Sequence, residues 1–184
     1  LTEMMNKHQG PVLGLHPMFG PDVPNFVKQV VVACDGRKAE EFQWLLNQIE
    51  IWGAVIQQDN AEEHDKSMQL IQAMRHFTTY VYGRFLSKQN ADLNQLLRLS
   101  SPIYRLELAM TGRLFAQNSE LYADIIYGAD DATELADSFS RELQAAISDL
   151  KNDDKMSFNE KFDDVATWFG DKSEEFLKDS RSML

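Results

Sequence analysis

One cysteine, Cys34, stands alone in 184 residues, so this chain has no internal disulfide framework to draw on. It follows Val30-Val31-Val32-Ala33, which reads as a buried structural thiol rather than a nucleophile. A solitary thiol fits a reducing, cytoplasmic setting. Long apolar runs are missing too. None approaches the roughly 18 residues of a membrane span, so no membrane partner is expected. Secretory features are absent from the first residues, yet Leu1 is not an initiator methionine, which reads as a processed chain or a piece of something longer. Positive charge is scarce: the net charge of −11 argues against a nucleic-acid partner. The nine glycines are scattered, and none forms the G-x-G-x-x-G of a dinucleotide phosphate loop. H-E-x-x-H and paired-cysteine spacings are also lacking, so no metal is expected. There is neither an internal repeat nor a low-complexity segment.

What remains is ordinary globular material, 43% hydrophobic and 26% charged. The charge is uneven. Residues 118–184 carry 17 acids against 7 bases, whereas residues 1–117 are nearly balanced, with 12 acids and 11 bases. Between residues 75 and 113 the bases (Arg75, Arg84, Lys88, Arg98, Arg105, Arg113) outnumber the acids (Asp92, Glu107). A locally basic middle in an acidic chain suits a small anionic ligand, or is ordinary charge scatter.

Two textures divide the chain. Up to about residue 58 the pattern is α/β: strands are expected over Pro11–Leu15, Gln29–Ala33 and Ala54–Gln57. A helix is expected over Lys38–Trp52, with Phe42, Leu45, Leu46, Ile49 and Trp52 as its stripe and Gly53 as its terminator. That run looks like the tail of an open-sheet domain and is too small to be a whole one. From residue 60 the pattern is helical. Asn60 and Glu63 suggest a capping box opening a helix that runs to about Ser87. Leu70, Met74, Phe77, Val81 and Phe85 form its apolar stripe, and a second stripe holds Gln69, Gln72, His76 and Gly83, flanked by Tyr80. Its small glycine suggests open space one level from His76. Ser101-Pro102 opens the next helix, which continues to about Ala116. Further helices are expected from Asn118 to near Gly128, and over about 130–150, 157–169 and 171–182, with Ser157 and Glu160 as the clearest capping box.

Of the four histidines, His8 lies in a polar stretch and reads as solvated. His64, within Glu62-Glu63-His64-Asp65, offers metal-ligand residue types, but neighbours on a helix point in different directions. His76 faces the polar stripe. His16 has the strongest local case: it ends an apolar run, and Pro17 and Pro21 stiffen the turn beyond it. Ligands of open α/β sheets bind outside the carboxyl ends of strands, and histidine is the usual base near neutrality. No serine or aspartate at a recognisable spacing supports a hydrolase triad. Arg105 and Arg113 share one helix. Arg113 adjoins Gly112, and a mid-helix glycine often marks a close approach, so this guanidinium suits a carboxylate clamp. A salt bridge to Glu107 or to the acidic tail is the plainer reading, and fits Arg105 better.

Three longer stretches, GPVLGLHPMFGPD, EHDKSMQLIQAMRHF and LSSPIYRLELAMTGRLFAQNSELYADI, together resemble prephenate dehydrogenase of tyrosine biosynthesis, and most of all the bifunctional form fused to chorismate mutase. The resemblance weakens beyond about residue 130. It implies the α/β tail of a Rossmann-type nucleotide-binding domain (residues 1–58) followed by an all-α dimerisation and substrate-binding domain (residues 59–184). It implies a cytoplasmic homodimer that converts prephenate and NAD to 4-hydroxyphenylpyruvate, carbon dioxide and NADH, with tyrosine as feedback inhibitor. By the same resemblance His16 is the catalytic histidine at the ring hydroxyl. Arg113 binds the ring carboxylate, and His76 lies near the pyruvyl side chain. Tyr122 and Gln117 are pocket residues, Arg105 is structural, and His16 and Met18 lie on the cofactor side. The missing glycine-rich loop implies that these 184 residues alone bind NAD poorly and turn over little. A non-catalytic dimerisation or tyrosine-sensing module is the competing reading.

Overall fold

A computed structural model describes residues 1–20 and 22–183 of the chain. It comprises two compact units, Leu1–Met68 and a second that begins at Gln69. Pro21, expected to stiffen the segment after His16, lies outside the described residues.

The first unit is built on three strands, β1 (Leu13–Pro17), β2 (Val30–Asp35) and β3 (Val55–Asp59), in the order β1-β2-β3. β1 pairs with β2 antiparallel, and β2 pairs with β3 parallel. A parallel neighbour requires a crossover. Here it is a short 3₁₀ turn (Ala39–Phe42) and helix α2 (Gln43–Ile51), named after the small N-terminal helix α1 (Thr2–Lys7). The valine-rich β2 is the buried centre, as its β-branched run dictates.

Register assigns the two faces of the sheet. Val31 sits opposite Pro17 and Ile56, with Leu15 two residues along on the same side. This face packs on α2: Val31, Ile49 and Ala54 form the core cluster, with Leu15, Phe19, Phe26, Leu45 and Ile56 against it. Val31 is 1% exposed, and burial of such a side chain contributes about 1.5–3 kcal/mol. The other face carries Gly14, His16, Val32, Cys34, Gln57 and Asp59.

The expected strands are present with shifted limits. β1 begins two residues later than expected and so includes His16, because Val12 is engaged elsewhere, its N–H donating to Arg37 O at 2.7 Å. The expected helix over Lys38–Trp52 starts late because Lys38 has φ 50°, a left-handed conformation that cannot continue into a helix. Gly53 does end α2, at φ 95°, with its N–H donating to Glu50 O at 2.8 Å. A Cβ there would approach Val27 Cα to 3.1 Å. Gly53→Ala is therefore expected to destabilise this unit by about 1–3 kcal/mol, read as a lower urea midpoint at unchanged slope.

The chain enters the helical region at α3 (Ala61–Met68), where Asn60 Oδ1 accepts from Glu63 N at 2.9 Å. The single helix expected to Ser87 is instead α3, a π turn (Gln69–Met74) that opens the second unit, and α4 (Arg75–Lys88). After α4 comes α5 (Leu93–Leu99), which the sequence pattern does not suggest; Asp92 caps it by accepting from Asn94 N. Helix α6 (Pro102–Phe115) opens as expected, Ser101 Oγ accepting from Tyr104 N at 3.3 Å with Pro102 in the first turn. Then follow α7 (Ser119–Tyr127), α8 (Ala132–Lys151), α9 (Lys155–Phe169) and α10 (Lys172–Met183). The cap of α9 is Asp154, which accepts from Ser157 N at 2.9 Å. Ser157 is thus inside the first turn, and the capping box expected there is displaced by three residues.

Two glycines behave differently from expectation. Gly83 leaves no open space near His76: a Cβ there would overlap the Phe115 ring, so Gly83 is where α4 and α6 approach closely. A Cβ at Gly112 would meet nothing within 4 Å, so no close approach among the described residues explains it.

Candidate active-site residues

His16 projects from the half of the sheet not covered by α2. Its Nδ1 lies 2.8 Å from Nε2 of His64 on α3, with the two rings edge to face at 5.1 Å. His64 Nδ1 in turn lies 3.0 Å from Asp65 Oδ1. The His64 side chain is only 15% exposed, whereas that of Asp65 is 80% exposed. Partial burial, and secondarily the neighbouring His64, lower the pKa of His16 below its ordinary 6.5. The imidazole is consequently neutral at pH 7, the state a proton acceptor needs.

His16 does not stand at the carboxyl end of a parallel strand, as the sequence pattern suggests. β1 is antiparallel, and His16 is paired with Val32 inside the ladder, toward the amino ends of the parallel strands β2 and β3. What places it is the sheet face rather than a strand end. Met18 comes two residues later, its N–H donating to Val30 O at 2.9 Å, with its side chain half-buried. Cys34, opposite Gly14 on the same face, is buried. Burial, then Asp59 and Asp65, push its thiol pKa upward. A thiol held protonated is a poor nucleophile, consistent with a structural role.

In the second unit, His76 on α4 is half-buried, with its ring edge-on to Tyr122 of α7 at 4.8 Å. Burial, and then the adjacent Arg75, lower its pKa. Arg113 lies exposed in the last turn of α6, where its carbonyl accepts from Gln117 Nε2 at 3.2 Å. Tyr122 and Gln117 both line a cavity of about 690 Å³, with Ala73, Met74, Phe77 and Ile126 among the apolar remainder. His76 and Arg113 are not part of that lining. So the helices bring His76 to Tyr122, Arg113 to Gln117, and Tyr122 and Gln117 to one mainly apolar cavity. Arg105 is held by hydrogen bonds rather than by the salt bridges its sequence suggests. Its Nη2 donates to Leu97 O at 2.9 Å and its Nε to Ser100 Oγ at 3.2 Å, tying α6 to the end of α5.

Comparison with known proteins gives these arrangements a family. The family described as prephenate dehydrogenase, dimerization domain, matches residues 60–164. This chain belongs to the prephenate dehydrogenase family. It is 54% identical over 184 residues to the T-protein of Haemophilus influenzae, covering all of this chain and 49% of that protein. The T-protein of Enterobacter agglomerans is 53% identical, again over all of this chain and 49% of that protein. The chain therefore spans about half the length of the curated relatives it matches. The fold is shared with the structure of prephenate dehydrogenase from Aquifex aeolicus in complex with hydroxyphenyl propionate and NAD+. That likeness has a TM-score of 0.61 at 15% identity, over 89% of this chain and 58% of that one.

Within this family frame, one neighbour of the site is hidden from the sequence. Read locally, His64 offers metal-ligand residue types that do not converge, and nothing marks it as a partner of His16, although its neighbour Asp65 and its place one turn into a helix after a strand are visible. Its partner lies 48 residues away, and no local spacing connects the two.

Proposed function

We propose that the complete enzyme containing this chain oxidatively decarboxylates prephenate to 4-hydroxyphenylpyruvate with NAD, in tyrosine biosynthesis. The observation that carries this reading is the 54% identity to a T-protein over the whole chain, motifs included. Residues 1–58 act as the tail of a Rossmann-type nucleotide-binding domain, and residues 59–184 as the helical dimerisation and substrate-binding domain. Exposed apolar residues on the last three helices, among them Phe139, Leu143, Phe162, Trp168 and Phe176, support a homodimer built through them, as does the family's description.

The residues present fit the reacting end of a dinucleotide site, where His16 and Met18 lie, and not its phosphate end, since no glycine-rich strand–turn–helix is among them. NAD supplies the acceptor for the hydride that leaves ring carbon 4. His16 accepts the proton of the hydroxyl on that carbon, so that the carbonyl forms without a positive charge accumulating. Arg113 holds the ring carboxylate, orienting a dianionic substrate until that carboxylate departs as carbon dioxide and the ring becomes aromatic. His76, with Tyr122 against it, faces the pyruvyl side chain and contributes to tyrosine inhibition, while Tyr122 and Gln117 shape the pocket.

Expressing the complete enzyme and following NADH formation with prephenate tests this. Robust turnover that tyrosine suppresses is expected, with little or none from these 184 residues alone. A complete enzyme that binds tyrosine but forms no NADH supports the sensing module instead.

A further inference from the structure

The His16–His64 contact links two half-buried rings from distant segments, and the mechanism above uses only one of them. From the geometry we infer that His64, oriented by Asp65, is a positioning residue that fixes His16 as the tautomer protonated on Nδ1. This makes Nε2 of His16 the nitrogen that accepts the substrate proton. The inference rests on the reading of His16 as the base.

The partners of His64 assign the tautomer. A neutral imidazole has one donor and one acceptor nitrogen. The 2.8 Å separation between His16 Nδ1 and His64 Nε2 requires a proton on one of them and a lone pair on the other. His64 Nδ1 faces a carboxylate oxygen at 3.0 Å, and a carboxylate only accepts. Nδ1 of His64 therefore carries a proton, and in its uncharged form His64 offers a lone pair at Nε2. The proton between the rings then belongs to Nδ1 of His16, which donates. The opposite arrangement, with both rings neutral, sets a lone pair of His64 against the carboxylate. It becomes favourable only when His64 is charged, and it would leave the proton on Nε2 of His16, where a base must have none. A second nitrogen's partner choosing the tautomer of the first is the general behaviour of histidine.

Burial makes the inner link the stronger of the two. His64 is largely enclosed, whereas Asp65 is exposed and its pull on His64 is weakened by solvent. Removing the His64 acceptor should therefore cost more than removing the carboxylate. Among the described residues, His64 faces His16 directly, Asp65 lies behind it on α3, and Cys34 on β2 and Asp59 at the end of β3 share the same sheet face. The amino group of Leu1 lies near Cys34. Because the His16 pKa is lowered, activity governed by it falls only as pH drops below 6.5.

The test uses the complete enzyme in three variants. His64→Leu, which keeps bulk but offers no acceptor, is expected to lose about 10- to 100-fold in kcat with the prephenate KM nearly unchanged. His64→Gln, whose amide oxygen can accept from His16 Nδ1, should recover most of that loss. Asp65→Asn should cost no more than a few-fold. In parallel, ¹⁵N shifts of histidine-labelled enzyme, assigned through the His16 and His64 variants, should show His16 protonated on Nδ1. In His64→Leu that preference should disappear. Equal kcat in the Leu, Gln and wild-type enzymes would overturn the inference, as would a His16 protonated on Nε2 in the wild type. An equal loss in Leu and Gln, with lowered Tm, would assign His64 a packing role and overturn it too. Should His16→Ala retain full turnover, the base reading fails, and the ¹⁵N tautomer still decides the relay on its own.

Discussion

Replacing His16 by alanine in the complete enzyme is expected to lower kcat by about 10²- to 10⁴-fold while leaving the prephenate KM within a small factor of wild type. The magnitude reflects the group removed. A positioned base contributes that much to a proton transfer, and the remaining orientation and carboxylate binding are untouched. The structure adds why this position suits the task. The face of the sheet opposite α2 holds His16 half-buried beside His64, and burial lowers its pKa from 6.5. At pH 7 the neutral form is in hand. As pH falls through the lowered value the imidazole becomes charged and kcat/KM should decline. In His16→Ala this acid limb should vanish from the residual activity. A steady-state profile between pH 5 and 8 measures both. Full activity in the variant would remove His16 from the chemistry. A parallel rise in KM would make it a binding residue instead.

Arg113→Ala is expected to act oppositely, raising the prephenate KM by about 10- to 100-fold with a smaller change in kcat. A hydrogen bond to a charged group contributes about 1.5–3 kcal/mol, which is that range of affinity. Arg113 lies exposed in the last turn of α6. Melting temperatures of the variants, measured alongside, separate an effect on binding from one on folding. Arg113→Lys should restore the charge but not the two-pronged geometry, recovering only part of the affinity. Equal KM values for Arg113→Ala and wild type would sink the clamp.

Much of this molecule is readable in one dimension. The valine run of β2, the stripe of α2 and its terminating Gly53, and the caps at Asn60, Ser101 and Asn118 are local signals, each acting within a few residues. Such features arise from rotamer preference, hydrogen-bond supply at helix ends and side-chain periodicity, all of which act locally. Where local signals compete, the sequence misleads. Ser157 and Asp154 both offer a cap for α9, and the chain uses the earlier one. α5 escapes the sequence pattern because its seven residues are too few to establish a period. Gly83 looks like a gap beside His76, yet the space belongs to the Phe115 ring of α6.

The sequence by itself determined the change from α/β to helical texture, the family, and His16, His76 and Arg113 as the side chains to watch. Tertiary structure alone decided that β1 runs against β2, which places His16 within the ladder rather than beyond a strand end. It alone set His64 at 2.8 Å from His16, and Tyr122 edge-on to His76. The reason is physical. Strand direction and contacts between residues 48 apart are fixed by which apolar faces bury together, and no local spacing records that outcome.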